Sequence, residues 1–423
     1  MNSAAGAGSP SHTSLAVIGA GVAGCALAAR LAALGWTGEV ALWEMGRGPG
    51  GRASTRRSRQ DPGLRIDHGS PLLNLIESPA PALIEPLRQA GWLEPFTGPV
   101  ALLDARATLH FDPEELDPSF SQGLRLQGKG GMDQLCRGLL SLAEHQAVVH
   151  PGTLVRNLQR QRGGPWQLFN QEGTPLGTAD WLVLAGTLPG HPRARRLFGW
   201  QEIPLQQAAR EIGDPQLDAA LAAIGGLSYK ARSNLLLVID PPAAAAWARL
   251  PFRLLFLDRA AQSRWGLERI SIQPLEDGRC AVVVHSTSRF ATAHLALHGA
   301  DSAIARMVGE PGDQEAETSL LQELESRLIT CLAPWLGPDP AKFINGARRQ
   351  LMRWGAAFPQ APGLDPAFCF CRDSQVGFCG DAVAGAGFGR IEGALHSAER
   401  LANQLMRHAE RERQPGAEPA PLG

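Results

Sequence analysis

The order of apolar and polar residues divides the N-terminal part of the chain into a strand, a helix and a second strand. Leu15–Ile18 is a short apolar run, and after a glycine-rich turn apolar residues recur at spacings of three and four to about Leu34, as in a helix packed on a core. Gly35 is a natural stop for that helix. Val40–Trp43 forms a second apolar run, closed by Glu44. The pattern predicts a β–α–β unit of about 30 residues, the crossover of a parallel sheet.

Beyond this unit the chain alternates between short apolar runs and two further stretches of helical periodicity. Apolar residues recur at helical spacing over Ser319–Leu332 and over Ile391–Leu405. Short apolar runs lie at Val148–Val149, Leu154–Val155, Trp181–Ala185, Leu235–Ile239, Ala281–His285 and Val376–Phe378. Because helical and strand-like runs mix over the full length, we predict an α/β fold with a second, mixed sheet.

Composition narrows the class of protein. The 423 residues include 40 basic and 41 acidic side chains, a formal charge of −1, which argues against a general nucleic-acid binder and a basic membrane-surface protein. Seven cysteines without regular spacing do not make a disulfide framework. The apolar run Leu15–Leu34 contains Arg30 and lacks a basic leader, so it is a poor membrane span or signal peptide. We expect a cytoplasmic protein without membrane or nucleic-acid partners.

The sequence shows few signals of metal or hydrolytic chemistry. No cluster of histidines, cysteines and acids has metal-ligand spacing, and no GxSxG nucleophile elbow is present. Met1–Thr13 is small and polar, and the segment from Glu410 onwards is charged and then rich in Pro, Gly and Ala. Both segments are predicted to be flexible tails.

A dinucleotide-binding signature lies inside the β–α–β unit. Gly19 permits the tight turn, Gly21 allows close approach to a pyrophosphate, and Gly24 lets the helix pack on the sheet. Glu44 ends the second strand and suits both ribose hydroxyls of an adenosine without a 2′-phosphate, as in FAD or NAD. The helix N-terminus adds N–H groups and a positive dipole end. The loop that would carry the phosphates is Gly19, Ala20, Gly21, Val22, Ala23 and Gly24.

A second glycine-rich turn favours FAD over NAD. The segment Gly46–Arg57 follows Glu44 directly, and a nicotinamide-binding Rossmann domain has no need of it. A longer FAD molecule does, because its flavin end runs past the first helix and needs close backbone approach. Arg56, Arg57 and Arg59 fit either this role or a solvated basic loop. Candidate flavin-side residues are Gly51, Arg52, Asp67, His68 and Gly69.

A third candidate segment lies near the end of the chain. Gly380 and Asp381 follow the apolar run that ends at Phe378, and a glycine-rich loop leads to Ile391, where the last helix begins. The aspartate is placed to bind ribityl hydroxyls. The helix N-terminus would stabilise the anion formed when a flavin is reduced. A plain connection between strand and helix is the alternative.

These segments together resemble the renalase-like family of the amine-oxidase flavoprotein superfamily, and the match spans Leu15 to Leu405. The segments that carry it, as they stand in this sequence, are VIGAGVAG, GRGPGGRAST, DHG, GKGGMDQL, TADWLVLAGTLP, LSYKARSNLLLVI, VVVHSTSRFA, LMRWGAAFP and FCGD…GRIEGALHSAERLA. The resemblance implies noncovalent FAD, with Val155 meeting the adenine through its backbone. It also implies substrate groups from the regions of His285, Arg289 and Trp354.

The resemblance further implies a Rossmann-type FAD-binding domain made of discontinuous segments, with an inserted α+β substrate domain of mainly antiparallel sheet. The expected limits are 14–75, 128–190 and 350–408 for the FAD-binding domain, 76–127 and 191–349 for the substrate domain, and 1–13 and 409–423 for the tails.

The activity implied is removal of a hydride from a small substrate, an isomeric dihydronicotinamide dinucleotide, to flavin N5, with reoxidation by O2 to give H2O2. The alternatives are an amine or pigment-precursor oxidase or desaturase of the same superfamily, and a noncatalytic binding module on the same fold. Tyr229 is the one tyrosine of the chain, so a cage of two tyrosines over the flavin cannot form. This argues against a typical amine oxidase.

Several residues leave two interpretations open. Lys230 is either the lysine that amine oxidases keep near flavin N5 or an exposed strand residue. His285 either reaches the substrate or is a satisfied core histidine. Cys369 and Cys371, placed on one face of a predicted strand, are either packed thiols or a redox pair. Cys379 adjoins Gly380 and is a remote candidate for a covalent flavin.

Overall fold

The structure, a computed structural model, describes residues 13–111, 122–161, 163–294, 313–337 and 339–413. Its helices are α1 (Val22–Ala33), α2 (Ile84–Gln89), α3 (Asp133–Ser141), α4 (Arg193–Phe198), α5 (Pro204–Ile212), α6 (Pro215–Gly225), α7 (Ala244–Ala248), α8 (Arg259–Trp265), α9 (Ser288–Ala293), α10 (Gln314–Leu336) and α11 (Ile391–Arg413).

The strands follow the same order along the chain. They are β1 (Leu15–Ile18), β2 (Val40–Glu44), β3 (Thr55–Arg57), β4 (Arg65–Asp67), β5 (Leu73–Leu75), β6 (Leu93–Pro95), β7 (Val100–Leu103), β8 (Leu109–His110), β9 (Leu124–Gly128), β10 (Ala147–Pro151), β11 (Asn157–Arg160), β12 (Trp166–Phe169), β13 (Pro175–Ala179), β14 (Trp181–Leu184), β15 (Tyr229–Ile239), β16 (Leu254–Leu257), β17 (Leu267–Pro274), β18 (Cys280–Ser286), β19 (Arg348–Pro359), β20 (Phe370–Cys371) and β21 (Val376–Phe378).

A six-stranded sheet forms the dinucleotide-binding half of the fold, in the order β10-β2-β1-β14-β21-β20. Its strands are parallel except for β20, which pairs antiparallel with β21. Leu15 of β1 pairs with Val40 of β2 and with Trp181 of β14. The predicted β–α–β unit is confirmed as β1, α1 and β2. The carboxyl ends of β1, β14 and β21 lie at one edge, where open α/β sheets bind ligands.

Helix α1 is buried on nearly every side. Its sequence is mostly alanine, leucine and other small residues, which let it lie close to the sheet while α11 and α3 cover it. A side chain at Gly24 would place its Cβ 2.1 Å from the carbonyl oxygen of Gly19. The third glycine of the motif is therefore required by contact between helix and turn.

A seven-stranded sheet forms the other half, in the order β19-β15-β18-β17-β16-β7-β8. Its pairs are antiparallel except for β16 and β7, which run parallel. One face is apolar and is covered by α7, α8 and α10, with Trp247, Trp265 and Leu328 in that core. The predicted α/β fold with a mixed second sheet is therefore confirmed.

The apolar cores cross some of the predicted domain limits. Leu83, Leu87 and Leu93 pack in the same core as α1, and α5 and α6 pack through Leu205 and Leu217 on the opposite face of the six-stranded sheet. The division into two domains stays a prediction, with these segments packed on the dinucleotide-binding half.

Several predicted elements differ in extent. Helix α10 begins at Gln314, five residues before the predicted start, because the Asp313 side chain accepts a hydrogen bond from the Ala316 N–H. Helix α11 continues to Arg413, so part of the predicted C-terminal tail is helical; the buried His408, in ring contact with Trp181, belongs to this extension. Residues 1–12 and 414–423 of the predicted tails lie outside the described residues.

The run Leu154–Val155 is not a strand: it is irregular and leads into β11. Leu154 is half-buried, and Val155 packs in the core beneath the six-stranded sheet. None of the helices in the described part of the chain combines the length and the apolar character needed to cross a lipid bilayer.

Candidate functional site

The first glycine-rich turn has the geometry of an anion-binding helix start. Gly19 adopts a φ of +108°, which favours glycine, and α1 begins at Val22 directly after Gly21. The N-terminus of α1 has no side-chain cap and no acidic residue in its first turn. Its first N–H groups are therefore open to a phosphate, which fits a dinucleotide at this turn.

Glu44 lies beside this turn at the end of β2. Its carboxylate accepts hydrogen bonds from the Ala20 N–H at 2.9 Å and from the Gly46 N–H at 2.6 Å. Burial raises the pKa of Glu44, and these two N–H groups lower it. Each oxygen has a second lone pair for a ribose hydroxyl, so the site fits the adenosine expected from the sequence.

The second glycine-rich turn packs against the first. Gly21 and Gly50 form an isolated parallel bridge, and a side chain at Gly51 would place its Cβ 3.3 Å from the Cα of Gly21. The two loops are thus held in backbone contact. A long dinucleotide lying on the first loop would also meet the second.

The third segment meets the second through an ion pair. Arg52 donates from both terminal nitrogens to Asp381, at 2.6 and 2.5 Å, and donates to the Ala357 carbonyl at 2.9 Å. Gly380 has a φ of +147°, and its N–H donates to Ser397 of α11 at 2.9 Å. Residues from the start and end of the chain therefore build one wall.

A cavity opens beside this ion pair, at the carboxyl ends of β14 and β21. Its lining joins both halves of the fold. The lining residues are Arg52, Leu184, Gly186, Thr187, Arg193, Tyr229, Ala356, Leu364, Phe378, Cys379, Gly380, Asp381, Ala382 and Val383.

Two residues proposed from the sequence have structural partners. Arg57 forms an ion pair with Asp133 at 2.7 Å, and it also donates to the Gly130 carbonyl at 2.8 Å. Asp67 accepts from the Thr55 hydroxyl at 2.6 Å and from the backbone N–H of Met132. These contacts hold the second turn against α3.

The seven-stranded sheet holds the segment Asp67-His68-Gly69 in place. Asn234 donates to the His68 carbonyl, and Arg269 donates to the Gly69 carbonyl, both at 2.9 Å. Gln273 accepts from the Asp67 N–H and donates to the Asp67 carbonyl. A Cβ at Gly69 would lie 1.9 Å from the Arg52 carbonyl oxygen, so the backbone of Arg52 requires a glycine at this position.

The anchoring side chains share one face of the sheet, because paired residues of an antiparallel ladder point the same way. His285 pairs with both Asn234 and Arg269, and Arg232 pairs with Trp354. We call the polar side chains of this surface the polar face. They are Arg232, Asn234, Arg269, Gln273 and His285. All except the half-buried Gln273 are more than nine-tenths buried.

Three of the predicted residues meet at this face. The ring of His68 stacks on Trp354 with centroids 5.6 Å apart, and Arg269 lies 3.0 Å from Nε2 of His285. Because a guanidinium only donates, His285 accepts at Nε2 and is neutral. Burial and the charge of Arg269 hold the pKa of His285 well below its usual range, and burial lowers the pKa of His68 to about 4.

The polar face carries a net positive charge. Arg232 donates to Glu268 at 2.6 Å, while burial lowers the pKa of Arg269 to about 10, with Glu268 opposing that shift. Among the described residues of this face, two arginines lie beside one carboxylate, Glu268, and His68 and His285 are neutral. The surroundings favour a neutral or anionic group over an ammonium.

The remaining candidates divide between the site and its surroundings. Val155 is buried in the same apolar core as Trp43, and Ile391 starts α11 as predicted. Arg289 is exposed on the first turn of α9. Lys230 is an exposed residue of β15, which matches the second of its two interpretations.

The predicted placement of Cys369 and Cys371 on one strand is wrong. Cys369 and Cys371 do not share one face of a strand, because a short 3₁₀ turn over Pro366–Phe368 precedes Cys369, and only Cys371 belongs to β20. Both thiols are buried, and burial raises the pKa of each to about 12. Burial also raises the pKa of Cys379. Thiols in this state are poor nucleophiles.

Sequence reasoning missed Arg193, Arg232, Asn234 and Arg269. For the last three the available signal was a charged or amide side chain inside an apolar strand run, as in LERISI and ARSNLLLVI; Arg193, at the start of a helix, carried no such signal. Such residues are buried only with partners, and the partner of Asn234 lies 166 positions away.

The comparison with known protein families identifies the N-terminal part of the half that contains the six-stranded sheet. A family model described as an NAD(P)-binding Rossmann-like domain matches residues 17–86. No curated protein sequence matches the chain significantly.

Solved structures resemble the whole fold. Cyclohexylamine oxidase from Brevibacterium oxydans IH-35A is 14% identical with a TM-score of 0.62, covering 95% of this chain and 100% of its own. A protein from Exiguobacterium sp. 255-15, provisionally assigned as a protoporphyrinogen oxidase, is 12% identical with a TM-score of 0.59, covering 95% and 100%. Putrescine oxidase bound to putrescine is 14% identical with a TM-score of 0.57, covering 93% and 99%. At these identities the likeness establishes the fold.

Proposed function

We propose that this protein is an FAD-dependent oxidoreductase. The observation that carries the proposal is the convergence of three glycine-rich segments, from the first and last parts of the chain, on one edge of the parallel sheet. Arg52 and Asp381 join them across 329 positions. FAD, when bound, supplies an acceptor for two electrons and a proton. Its noncovalent binding agrees with the buried, protonated thiol of Cys379.

The residues of the chain would divide the work as follows. The first turn of α1 would hold the phosphates, Glu44 the adenosine ribose, and Arg52 with Asp381 the middle of the cofactor. The His68–Trp354 pair and the polar face would position the substrate and exclude water. Positioning of this kind supplies much of the rate in hydride transfer.

For the substrate we propose an isomeric dihydronicotinamide dinucleotide, with O2 taking the electrons to give H2O2. The positive excess of the polar face supports a neutral or anionic reacting group. The names of the structural neighbours favour the second candidate, oxidation of an amine. An ammonium substrate would first have to lose its proton beside Arg232 and Arg269.

One anaerobic experiment separates these functions. The purified protein is checked for flavin absorbance and is then titrated with isomeric dihydronicotinamide dinucleotides or with primary amines and polyamines. We expect the dinucleotides to bleach the flavin and peroxide to form when air is admitted. Bleaching by amines alone would replace the substrate proposal, and a colourless protein that binds no added FAD would overturn the cofactor proposal.

A matched pair of variants tests the cofactor site. Arg52→Met removes the ion pair to Asp381 and should release FAD. Arg59→Met, in the connection between β3 and β4, changes an exposed side chain and should retain FAD. Equal FAD content in the two variants would contradict the assigned role of Arg52.

A further inference from the structure

The cavity beside the Arg52–Asp381 pair contains a second arginine that no motif predicted. Arg193 begins α4, between the loop after β14 and the helices α5 and α6. It lines the cavity together with Thr187, Tyr229 and Asp381. The loop after β14 brings it to the edge where the anion-binding turn of β1 ends.

The guanidinium of Arg193 is held by an aromatic ring. Its central carbon lies 4.6 Å from the ring centroid of Tyr229, within the range of a cation–π contact. The Tyr229 hydroxyl lies 2.6 Å from the Thr187 hydroxyl, and the backbone N–H of Arg193 donates to Nδ1 of His191 at 3.0 Å. The Tyr229 ring therefore orients the guanidinium, and the hydrogen bond to His191 fixes the backbone of Arg193.

No carboxylate neutralises this guanidinium among the described residues. Its Nε is buried and has no hydrogen-bond partner there. The cavity carboxylate, Asp381, already accepts from Arg52 with both oxygens. Burial lowers the pKa of Arg193 and the charge of Arg52 adds to that effect, while Tyr229 and Asp381 oppose it. The cavity lining therefore contains two guanidinium groups and one carboxylate, and the half-buried side chain of Arg193 keeps a buried Nε that lacks a partner among the described residues.

We propose that Arg193 is an anion-binding residue of the cofactor site, which binds a negatively charged group of the dinucleotide. This inference rests on the proposed function. Tyr229 is its positioning residue, because the ring fixes the guanidinium by cation–π contact and Thr187 fixes the ring. The one tyrosine of the chain thus orients a cofactor ligand instead of forming a substrate cage.

The test uses calorimetric titration of the cofactor-free full-length protein with FAD and, separately, with inorganic pyrophosphate. Arg193→Met should weaken FAD binding by about tenfold or more, the effect of losing a charged hydrogen bond. Arg193→Lys should restore part of the affinity. Arg196→Met is the matched control, because Arg196 is exposed on the same helix, and it should bind FAD like the unmodified protein.

A second readout separates an electrostatic role from a purely structural one. In the FAD-loaded protein, Arg193→Met should lower the midpoint reduction potential of the flavin, because a nearby cation favours the more negative reduced form. Tyr229→Phe keeps the ring and should change the potential little, whereas Tyr229→Leu should shift it in the same direction as Arg193→Met. Unchanged FAD affinity and unchanged potential in Arg193→Met would overturn the inference.

The titrations with FAD and with pyrophosphate also distinguish a failure of this inference from a failure of the proposed function. If the unmodified protein binds no FAD, the proposed function fails, and pyrophosphate binding that depends on Arg193 then decides whether the anion site exists. If Arg193→Met loses affinity for the substrate alone, with FAD affinity and potential intact, the cofactor assignment is wrong.

Discussion

Gly69 shows how a single backbone contact sets the position of a candidate cofactor ligand. A Cβ there would lie 1.9 Å from the carbonyl oxygen of Arg52, and Arg52 in turn holds Asp381. The glycine does not need a positive φ. Its role is to let two segments pass at van der Waals distance, so the alignment of the Arg52 guanidinium depends on it.

Gly69→Ala should lower the free energy of unfolding by about 1–3 kcal/mol, the usual cost of overpacking, and should weaken FAD binding because Arg52 must shift. Urea unfolding and FAD titration measure the two effects. Gly226→Ala, at the end of α6 and outside the glycine-rich turns, is the control: its added Cβ would meet only ordinary contacts at 3.5 Å or more. Equal stability of the two variants would show that the 67–69 backbone moves aside freely.

His68 gives the protein a pH dependence with a defined sign. The unfolded chain takes up a proton on this histidine near pH 6.5, whereas in the folded state the pKa is about 4. Stability is therefore complete above about pH 6.5 and falls as the pH drops towards 4, by about 2 kcal/mol at about pH 5. Urea unfolding over a pH series should show this loss.

His68→Gln should remove that part of the pH dependence, because glutamine does not titrate. His145→Gln, at an exposed surface histidine, should leave the dependence unchanged. If His68→Gln and the unmodified protein lose stability in parallel between these pH values, the buried neutral state of His68 is wrong.

Among elements, the polar face of the seven-stranded sheet acts as a clamp on the 67–69 segment. Gln273 of β17 both accepts from and donates to that backbone. Gln273→Ala should lower the free energy of unfolding by about 1–2 kcal/mol and should speed hydrogen exchange at the Asp67 amide. Gln159→Ala, an exposed strand residue of β11, should affect neither. Unchanged exchange at Asp67 would contradict the clamp.

Helices and strands were predicted correctly where the residues that define them lie close together in the sequence. The Gly19–Gly24 turn, α1 and β2 follow from spacing alone, because the glycines and apolar positions act within one β–α–β unit. The strand-like run Leu154–Val155 is not a strand, because two adjacent apolar residues also occur where an irregular segment packs a side chain into a core. Cys369 and Cys371 failed because Pro366 starts a 3₁₀ turn before β20.

The polar face could not be predicted in the same way. Its members come from β15, β17 and β18, and they share a face only through the registers of two antiparallel pairings. A sequence gives the period of a strand but not its register against a distant partner. His285 and Trp354 were proposed from family resemblance, while Arg269 and Asn234, which position their neighbours, carried no motif.

For the whole molecule, the proposed cofactor should contribute to stability by linkage. A ligand that binds only the folded state at one hundred times its dissociation constant adds about 2.7 kcal/mol. Removing FAD should therefore lower the melting temperature, and adding FAD should restore it in a concentration-dependent way. Calorimetric melts with and without FAD measure this. A melting temperature independent of FAD would mean that the three segments are not joined by it.

The order of strands in the six-stranded sheet has a consequence for synthesis of the chain. β1 and β2 leave the ribosome first, but β21 and Asp381, which complete the wall opposite Arg52, lie more than three hundred residues later. At usual translation rates the two parts appear roughly 20 to 70 s apart. During that interval the nascent chain has the glycine-rich turn of β1 but lacks β21 and Asp381. If the proposed FAD site is correct, we expect FAD to bind only after β21 has been made, and a chain that ends before β21 should bind no FAD.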